Sequence, residues 1–398
     1  MKIYLWLFLL GSIYLVSGVF FSNVDLKIRT APEVSKGQKH DFYDYSGVIN
    51  VHSNKSRGSG RVQDIIAAAN DADLDFIFFN ETNPIDLKQP PPIKFGNLHV
   101  FYGFELSFGG SRFLYTSLDE APVFSSNSDI QLFVSNHLNT GGDGFLVLAH
   151  PNKPGYEWTL NKRPNFISGV EVLNLREVWR EAWKSYKFSF LTAVFFYPFN
   201  PSLFFLDIYS DEGLAFKTWD EWSNMSPVQG FVGSDVTSKL RITKKLSLNF
   251  PSYKNIFLMA QNHVLLREEL LGFGNHEKIF KALQKGQSYF SIDLLGDPEG
   301  FAFWAETKTG KKILMGQTTA ISDIDTLNCS VPTTKSSVEV LLYQNGHVVH
   351  RFSEDCSYPI TEKGSYRLEV RVKPLFPLIR PQKWIPWIFS NPIFVKPS

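Results

Sequence analysis

The sequence predicts an α/β fold built on a parallel sheet, followed by a smaller β-rich domain. Ser46 to Pro84 alternates an apolar run, a loop, a helix and a second apolar run. Later apolar runs of strand length also end in polar residues, which is typical of parallel strands whose carboxyl ends meet at one edge. From about Gly300 the pattern changes to alternating strands, with Asn345-Gly346 as a hairpin turn.

The first β-loop-α-β unit has the clearest pattern. A short apolar run ends at His52, and a Gly/Ser loop follows it. The helix is indicated by four apolar residues at i, i+3, i+4 and i+7 spacing: Val62, Ile65, Ile66 and Ala69. Ser59 is predicted to cap this helix, because its hydroxyl can accept a hydrogen bond from a free backbone N–H. Leu74 to Phe79 is predicted to be a strand buried on both faces.

Five acidic or histidine side chains close apolar runs in unrelated parts of the chain. They are His52, Glu81, Glu105, His150 and Asp235. A single histidine after a strand is usually a structural residue held by hydrogen bonds, so the prediction depends on the joint pattern. In a parallel barrel these strand ends converge, and His, Glu and Asp together have the ligand types of a metal or acid–base site.

The motifs around these residues resemble those of the PHP (polymerase and histidinol phosphatase) family over about residues 46–290. Ser46 to Pro84 resembles the H-x-H to T-D-H block, and Gly103-Phe104-Glu105 resembles the G-x-E block. Ala149-His150-Pro151 resembles A-H-P, and Gly233-Ser234-Asp235 resembles the start of G-S-D-x-H. The resemblance implies a distorted (β/α)7 TIM-like barrel, up to three divalent metal ions, commonly zinc, manganese or iron, and hydrolysis of phosphate esters.

The chain departs from the family pattern at four positions. Asn50 and Thr82 stand where histidines are expected, Glu81 replaces an aspartate, and Thr237 replaces the final histidine. Threonine is a poor ligand and asparagine offers only a carbonyl oxygen, whereas imidazole suits zinc and iron. The resemblance therefore implies an incomplete metal site with His52, Glu81, Glu105, His150 and Asp235 as ligands, which holds one ion or none.

Two functional hypotheses follow from the replacement of these ligand residues. The first is a pseudoenzyme that keeps the pocket and uses it for binding or an envelope-structural role. The second is an active phosphoric-ester hydrolase with reduced metal content, since metal-assisted hydrolysis needs ions to bind phosphate and generate hydroxide. In either case the expected ligand is a small phosphorylated or other anionic molecule. Lys239 and Arg241 are candidate phosphate contacts, and the alternative is that they belong to a solvated loop.

The N-terminal segment indicates the cellular location of the protein, and the net charge limits its partners. Lys2 precedes an uncharged apolar run from Tyr4 to Phe21, which has the layout of a secretory signal peptide or a membrane anchor. The sequence thus predicts export to the periplasm or cell envelope, with membrane attachment through residues 4–21 if the segment is retained. The net charge of +1 does not suggest nucleic-acid binding.

The predicted organisation has three parts. Residues 1–23 form the signal peptide or anchor, residues 24–299 the PHP-like barrel, and residues 300–398 a small β-sandwich-like domain. Cys329 and Cys356 both lie in the last part, where they form either a disulfide across two strands or two free buried thiols.

Overall fold

The computed structural model describes residues 2–28, 42–82, 84–158, 163–185, 190–191, 194–195, 197–209, 215–241, 247–272, 274–332, 334–373 and 383–398. Within this part of the chain the α-helices are α1 (Lys2–Ser22), α2 (Val62–Asn70), α3 (Asn127–Thr140), α4 (Leu175–Ser185), α5 (Pro201–Ile208), α6 (Phe216–Met225), α7 (Tyr253–Phe257) and α8 (His276–Lys285). A short 3-10 helix covers Asp293–Leu295.

The strands fall into an N-terminal and a C-terminal group. The first group is β1 (Tyr43–Val51), β2 (Phe76–Glu81), β3 (Ile93–Phe95), β4 (Leu98–Phe108), β5 (Ser111–Thr116), β6 (Phe145–Ala149), β7 (Gly169–Asn174), β8 (Gln229–Val236), β9 (Leu240–Arg241), β10 (Ser247–Leu248), β11 (Gln261–Leu266) and β12 (Ser288–Ser291). The second group is β13 (Ala302–Thr307), β14 (Lys312–Leu314), β15 (Thr318–Ala320), β16 (Ile324–Ser330), β17 (Val338–Gln344), β18 (His347–Phe352), β19 (Cys356–Pro359), β20 (Gly364–Val372), β21 (Ile385–Ser390) and β22 (Ile393–Lys396).

Seven strands close into a barrel in the order β1-β2-β4-β5-β6-β7-β8, and β8 pairs with β1 to complete the circle. Strands β4 and β5 form a hairpin that turns at Gly109-Gly110, and both glycines have positive φ. Because β5 runs antiparallel to β4 and β6, the barrel mixes strand directions. The architecture is a mixed α/β fold with a closed seven-stranded barrel and additional strands. The finer (β/α)7 description stays a prediction.

The helix predicted after the first strand is confirmed as α2, and Ile65, Ile66 and Ala69 are its buried residues. The predicted cap is wrong. Arg61 occupies the N-cap position without a side-chain hydrogen bond. The Ser59 hydroxyl instead donates to the Ser238 carbonyl oxygen at 2.7 Å. The hydroxyl joins the loop before α2 to the segment after β8, and the helix begins two residues later than the predicted cap requires.

Aromatic side chains fill the interior of the barrel. Phe78 stacks on Phe101 with ring centroids 4.2 Å apart, and Phe145 packs edge-on against Phe231. Phe280 from α8 joins this cluster and contacts both Phe101 and Phe145. Burying one such side chain stabilises the fold by roughly 1.5–3 kcal/mol. The packed interior, with α8 at one end, leaves the carboxyl ends of the parallel strands to form a site.

The C-terminal strands lie in two sheets. Strands β14, β13, β16 and β19 form a separate four-stranded sheet, in which Cys329 lies opposite Cys356 and the two form a disulfide. Most of the remaining strands extend the barrel sheet through the β21–β12 pair, so the two predicted domains share hydrogen bonds. The sandwich and the boundaries at 23/24 and 299/300 stay predictions.

Helix α1 is long and apolar enough to cross a membrane. The qualifying segment is Tyr4–Ser22, which has 19 residues, and it is the one such helix in the described ranges. Its side chains are mostly exposed, with Tyr14 packed against the Phe195 ring at 4.2 Å between centroids. A helix of this kind fits a signal sequence as well as an anchor.

Candidate metal and anion site

Four of the five predicted ligands lie together at the carboxyl end of the barrel strands, and we call them the strand-end cluster. His52 directly follows β1, Glu105 lies within β4, His150 directly follows β6, and Asp235 lies near the end of β8. All four side chains are buried. Residues 52 and 235 are far apart in sequence and meet here because β1 and β8 are neighbours in the closed barrel.

The ligand atoms of this cluster surround two positions. At the first position, His52 Nε2 lies 3.6 Å from Glu105 Oε2 and 3.4 Å from Asp235 Oδ1. At the second, His150 Nε2 lies 3.6 Å from Glu105 Oε1 and 3.7 Å from Asp235 Oδ2. Glu105 and Asp235 thus give one oxygen to each position. Metal–ligand bonds of about 2.0–2.2 Å require ligand atoms about 3.3–3.6 Å apart in a tetrahedral site, so both spacings suit a metal ion.

The backbone around the cluster is strained. Asn50, His150 and Asp235 have φ values of 62°, 53° and 43°, in the left-handed region that non-glycine residues rarely adopt. Each strained residue costs on the order of 1–3 kcal/mol, and such residues concentrate at functional sites. In this barrel the strain occurs at the ends of β1, β6 and β8, where it directs side chains of three separate strands into one pocket.

A layer behind the cluster orients His150. The Glu171 Oε2 atom accepts from the His150 backbone N–H at 3.0 Å and lies 3.3 Å from His150 Nδ1. Its Oε1 atom accepts from Asn50 Nδ2 at 2.8 Å. Asn174 Nδ2 also lies 3.1 Å from His150 Nδ1. A proton on Nδ1 shared with Glu171 would leave the Nε2 lone pair facing the second position, as in carboxylate–histidine–metal arrangements.

Gly233 makes room for this layer. A Cβ atom at Gly233 would lie 1.6 Å from Glu171 Oε1, which is far inside contact distance. Asn50 therefore has a defined role despite the loss of the expected histidine, because it holds the buried carboxylate that supports His150. Glu171 was not among the predicted site residues, and no sequence pattern indicated its contact with His150.

Arg57 enters the first position. Its Nη2 atom lies 2.5 Å from His52 Nε2, 2.8 Å from Glu105 Oε2 and 2.5 Å from Asp235 Oδ1. Three of the four clustered side chains thus contact one guanidinium nitrogen. Sequence analysis missed Arg57, because it lies in a Gly/Ser loop without periodicity.

Glu81, the fifth predicted ligand, holds the loop that carries Arg57. Its carboxylate accepts from the Ser53 backbone N–H at 3.0 Å and from the hydroxyls of Ser53 and Ser56. With these three donors satisfied, the side chain supports the loop structure. The role of Glu81 as a metal ligand stays a prediction.

Glu177 is a further candidate ligand that sequence analysis missed. It lies in the first turn of α4, and its carboxylate, His150 and Asp235 each offer a ligand atom within 4.8 Å of the others. Its carboxylate also pairs with Arg180, and with Lys153 at 3.3 Å. Glu177 lies three positions after the end of β7, and no sequence motif marks it.

The remaining predicted residues differ in their exposure and in how far the structure describes them. Lys239 is exposed and lines a cavity of about 200 Å³ beside Asp235. Arg241 ends β9, and its side chain lies outside the described part of the structure. Thr237 contributes its backbone oxygen, which accepts from Ser59 N–H at 2.9 Å. Thr82 is half-buried just after β2.

Electrostatics favour charged forms in the cluster. Burial opposes ionisation of Glu105, but the nearby His150 imidazole and the charge of Arg57 together lower its pKa to about 2. Burial also opposes ionisation of Asp235, and Arg57 outweighs this and holds its pKa well below the usual range. Burial works against the charged form of His150 too, yet the Glu171 carboxylate raises the His150 pKa. Burial raises the pKa of Glu171 itself. The two shared carboxylates are therefore anionic at neutral pH.

Solved structures include distant likenesses to this chain. No protein-family model matches this sequence, and no curated protein matches it. The chain is similar in structure to a two-domain protein from Bacteroides vulgatus ATCC 8482 that contains a predicted PHP-like metal-dependent phosphoesterase. The two are 12% identical, with 90% of this chain and 99% of that chain covered and a TM-score of 0.42. Since this likeness is distant, the function has to be inferred from the residues of the site.

Proposed function

We propose that this protein is a PHP-like, partly degenerate relative of metal-dependent phosphoesterases. Its strand-end cluster binds one divalent cation together with a phosphate-type anion, and it lacks the multi-metal centre that hydrolyses phosphate esters. The four sequence blocks and the convergence of His52, Glu105, His150 and Asp235 support the relationship. The missing histidines at Asn50, Thr82 and Thr237 support the reduced metal content.

The observation that carries the proposal is the second position of the cluster. His150 Nε2 and Asp235 Oδ2 are buried and have no hydrogen-bond partner among the described residues, although both lie near other polar groups. Buried polar atoms are normally paired, so atoms left unpaired call for an unseen partner. Glu105 Oε1 completes the set at 3.6 Å from His150 Nε2. A zinc, manganese or iron ion would satisfy all three atoms.

Cationic side chains beside the strand-end cluster, one near each position, suit an anionic ligand. Arg112 Nε lies 3.8 Å from Glu105 Oε1, and its guanidinium lies over the Tyr156 ring at 5.0 Å. Arg176 Nη1 lies 3.5 Å from Asp235 Oδ1, and its side chain is 46% exposed. Guanidinium groups bind phosphate through paired, charge-assisted hydrogen bonds. When bound, the metal ion would attract the same anion from the other side, so a phosphate monoester fits the charges present.

The test measures metal content and anion binding in the full-length chain purified in detergent. The protein is stripped with a chelator, reloaded with Zn²⁺ or Mn²⁺, and analysed for metal by mass spectrometry. We expect one ion per chain, none in His150→Ala, and one in the matched control His347→Ala, where the histidine is exposed on β18. Inorganic phosphate should then bind more tightly to the loaded protein. A wild-type protein that retains no metal would refute the one-ion site.

A second candidate function is phosphoester hydrolysis with a single ion. Glu177 favours it, because its carboxylate belongs to the same group as His150 and Asp235 and could serve as a ligand or a general base. The two candidates are separated by assaying p-nitrophenyl phosphate and a panel of other phosphate monoesters with each metal. The proposed function predicts no turnover above background. Turnover that a chelator abolishes and that Glu177→Gln reduces would establish the hydrolase.

Export is part of the same proposal. The length and apolar character of α1, with Lys2 before it, support secretion into the periplasm or retention at the membrane. The disulfide between Cys329 and Cys356 suits an oxidising compartment. Fractionation of cells that express the full-length chain tests this, with the N-terminus of the product determined by mass spectrometry. Recovery in the cytosol with an intact N-terminus would refute export.

A further inference from the structure

The two positions of the strand-end cluster differ in what they contact. They share Glu105 and Asp235, each of which directs one oxygen into each position. At the second position His150 Nε2 and Asp235 Oδ2 lack a hydrogen-bond partner in the described ranges. At the first, Arg57 Nη2 lies within 2.8 Å of His52 Nε2, Glu105 Oε2 and Asp235 Oδ1. The arginine nitrogen thus lies where the geometry would otherwise place a metal ion.

The chemistry of the guanidinium explains why it can occupy that position. Glu105 and Asp235 are buried carboxylates, and buried charges need compensation from an opposite charge. Arginine is always protonated and carries five N–H donors, so it supplies positive charge and hydrogen bonds to both oxygens. It has no empty orbital for a water molecule and cannot lower the pKa of bound water as a metal ion does. It therefore replaces the charge of an ion and not its Lewis acidity.

The loop that carries Arg57 is built to hold it there. Within the loop, Gly58 N–H donates to the Ser53 carbonyl oxygen at 2.9 Å, and Asn54 N–H donates to the Gly60 carbonyl oxygen at 2.8 Å. Glu81 binds the two loop serines from below, as described above. The Tyr253 hydroxyl donates to the His52 carbonyl oxygen at 2.8 Å. A Cβ at Gly58 would lie 2.1 Å from the same oxygen, so the loop packs closely against the cluster.

We propose that Arg57 is a tethered cation that replaces one metal ion of the strand-end cluster and limits the site to a single exchangeable ion. The inference rests on the proposed function in one respect, namely that the cluster is a metal site. It also gives the change at Glu81 a purpose, because this residue supports the arginine loop. Removing the guanidinium should open the first position to a second divalent ion, held by His52, Glu105 and Asp235.

The experiment counts Mn²⁺ ions on the full-length chain in detergent, by equilibrium dialysis and mass spectrometry. We expect one ion on the wild type and two on Arg57→Ala. Arg57→Lys keeps the tethered charge and should bind one. The matched control is Arg61→Ala, which removes an exposed arginine close by in the sequence that pairs with Asp64, and it should also bind one. An Arg57→Ala protein that binds no more Mn²⁺ than the wild type would overturn the inference.

Combining variants separates this inference from the proposed function. His150→Ala should bind no ion, whereas His150→Ala with Arg57→Ala should bind one at the first position. If the wild type binds none and Arg57→Ala binds one, the one-ion site is wrong and the tethered cation stands. Should Arg57→Ala fail to fold, Arg57→Gln repeats the count. Electron paramagnetic resonance of the Mn²⁺-saturated wild type needs no variant: we expect an uncoupled six-line spectrum, and an exchange-coupled pair would overturn the inference.

Discussion

Two buried clusters of charged side chains lie at opposite ends of strand β1 and differ in how their polar atoms are satisfied. The strand-end cluster follows His52, and a second group, which we call the base cluster, contains Asp44, His263, Tyr289 and Asp293. Asp44 and His52 are eight residues apart, or about 25 Å along an extended strand. In the base cluster His263 Nδ1 lies 3.0 Å from Asp44 Oδ1, and Nε2 lies 3.1 Å from Asp293 Oδ2. Both nitrogens of this ring are therefore paired.

The other carboxylate oxygens of the base cluster also accept hydrogen bonds. The Tyr289 hydroxyl donates to Asp44 Oδ2, and the Ser291 hydroxyl donates to Asp293 Oδ1 at 2.6 Å. By contrast, His52 Nδ1 and His150 Nε2 at the strand ends lack hydrogen-bond partners among the described residues. Left-handed backbone occurs at Asn50, His150 and Asp235 and at none of the base-cluster residues. Burial and charge alone therefore do not identify a binding site in this fold. Unpaired ligand atoms on strained backbone distinguish the cluster for which we propose a metal site.

The largest expected effect is loss of stability when the base cluster is broken. His263→Ala leaves the Asp44 and Asp293 side chains, which are 9% and 13% exposed, without their common partner, and breaking a largely buried ion pair in this way costs up to about 3–5 kcal/mol. We expect that decrease in the free energy of unfolding, measured with urea in detergent. His347→Ala removes an exposed histidine and should change stability by less than about 0.5 kcal/mol. A His263→Ala protein as stable as this control would show that the base cluster is not structural.

The base cluster should also make stability depend on pH. Burial opposes protonation of His263, but Asp44 and Asp293 outweigh this and raise its pKa to about 10, from 6.5 for a free histidine. The folded protein then binds a proton that the unfolded chain releases above about pH 6.5. The contribution of His263 to stability is fully present below pH 6.5 and is lost as the pH rises to about 10. Between pH 6 and 10 the melting temperature should fall more steeply for the wild type than for His263→Gln. Parallel curves of melting temperature against pH would contradict the raised pKa of His263.

Sequence patterns predict the strand ends of the strand-end cluster much better than they predict its loop contacts. The strand ends that carry His52, His150 and Asp235 follow from buried apolar runs, because such runs of strand length leave the next polar residue at the sheet edge. The Arg57 contacts could not be predicted in that way. Arg57 contacts Glu105, which is 48 positions away in the sequence, and Asp235, which is 178 positions away. It does so from a loop without periodicity. The Ser59 cap was predicted wrongly, and the Glu81 contacts with Ser53 and Ser56 were missed, for the same reason, since these partners belong to loops that only the closed barrel brings near.

The base cluster was invisible to sequence analysis for a different reason. Asp44 and His263 lie on β1 and β11, which pair antiparallel, and their side chains meet only through that register. No motif accompanies either residue, and a lone buried histidine is usually structural. The same expectation was applied to His150, where it was outweighed because several strand ends carried ligand residues together.

The next largest effect concerns the layer behind the strand-end cluster. Glu171→Gln removes the carboxylate beside His150 Nδ1 while keeping the size of the side chain. Loss of such a supporting group lowers metal affinity by about 10- to 100-fold. The measurement is calorimetric titration with Zn²⁺ or Mn²⁺ after chelator treatment. Asp293→Asn makes the equivalent change in the base cluster, and it should lower stability and leave metal affinity unchanged. Equal effects of the two variants on affinity would erase the distinction between the clusters.

The smallest expected effect is at the rim of the strand-end pocket. Lys239 is exposed beside Asp235, so water and salt screen its charge strongly. If it attracts a phosphate monoester from the rim, Lys239→Ala should weaken binding of inorganic phosphate by about two- to fivefold, in line with exposed charge pairs worth up to about 1 kcal/mol. The effect should shrink at high salt, and metal affinity should not change, because the ammonium group forms no ion pair with the ligand atoms in the described part of the structure. Lys217→Ala, an exposed lysine on α6, is the matched control. A loss above about 30-fold would exceed what a screened rim charge supplies and would place Lys239 in direct contact with the anion.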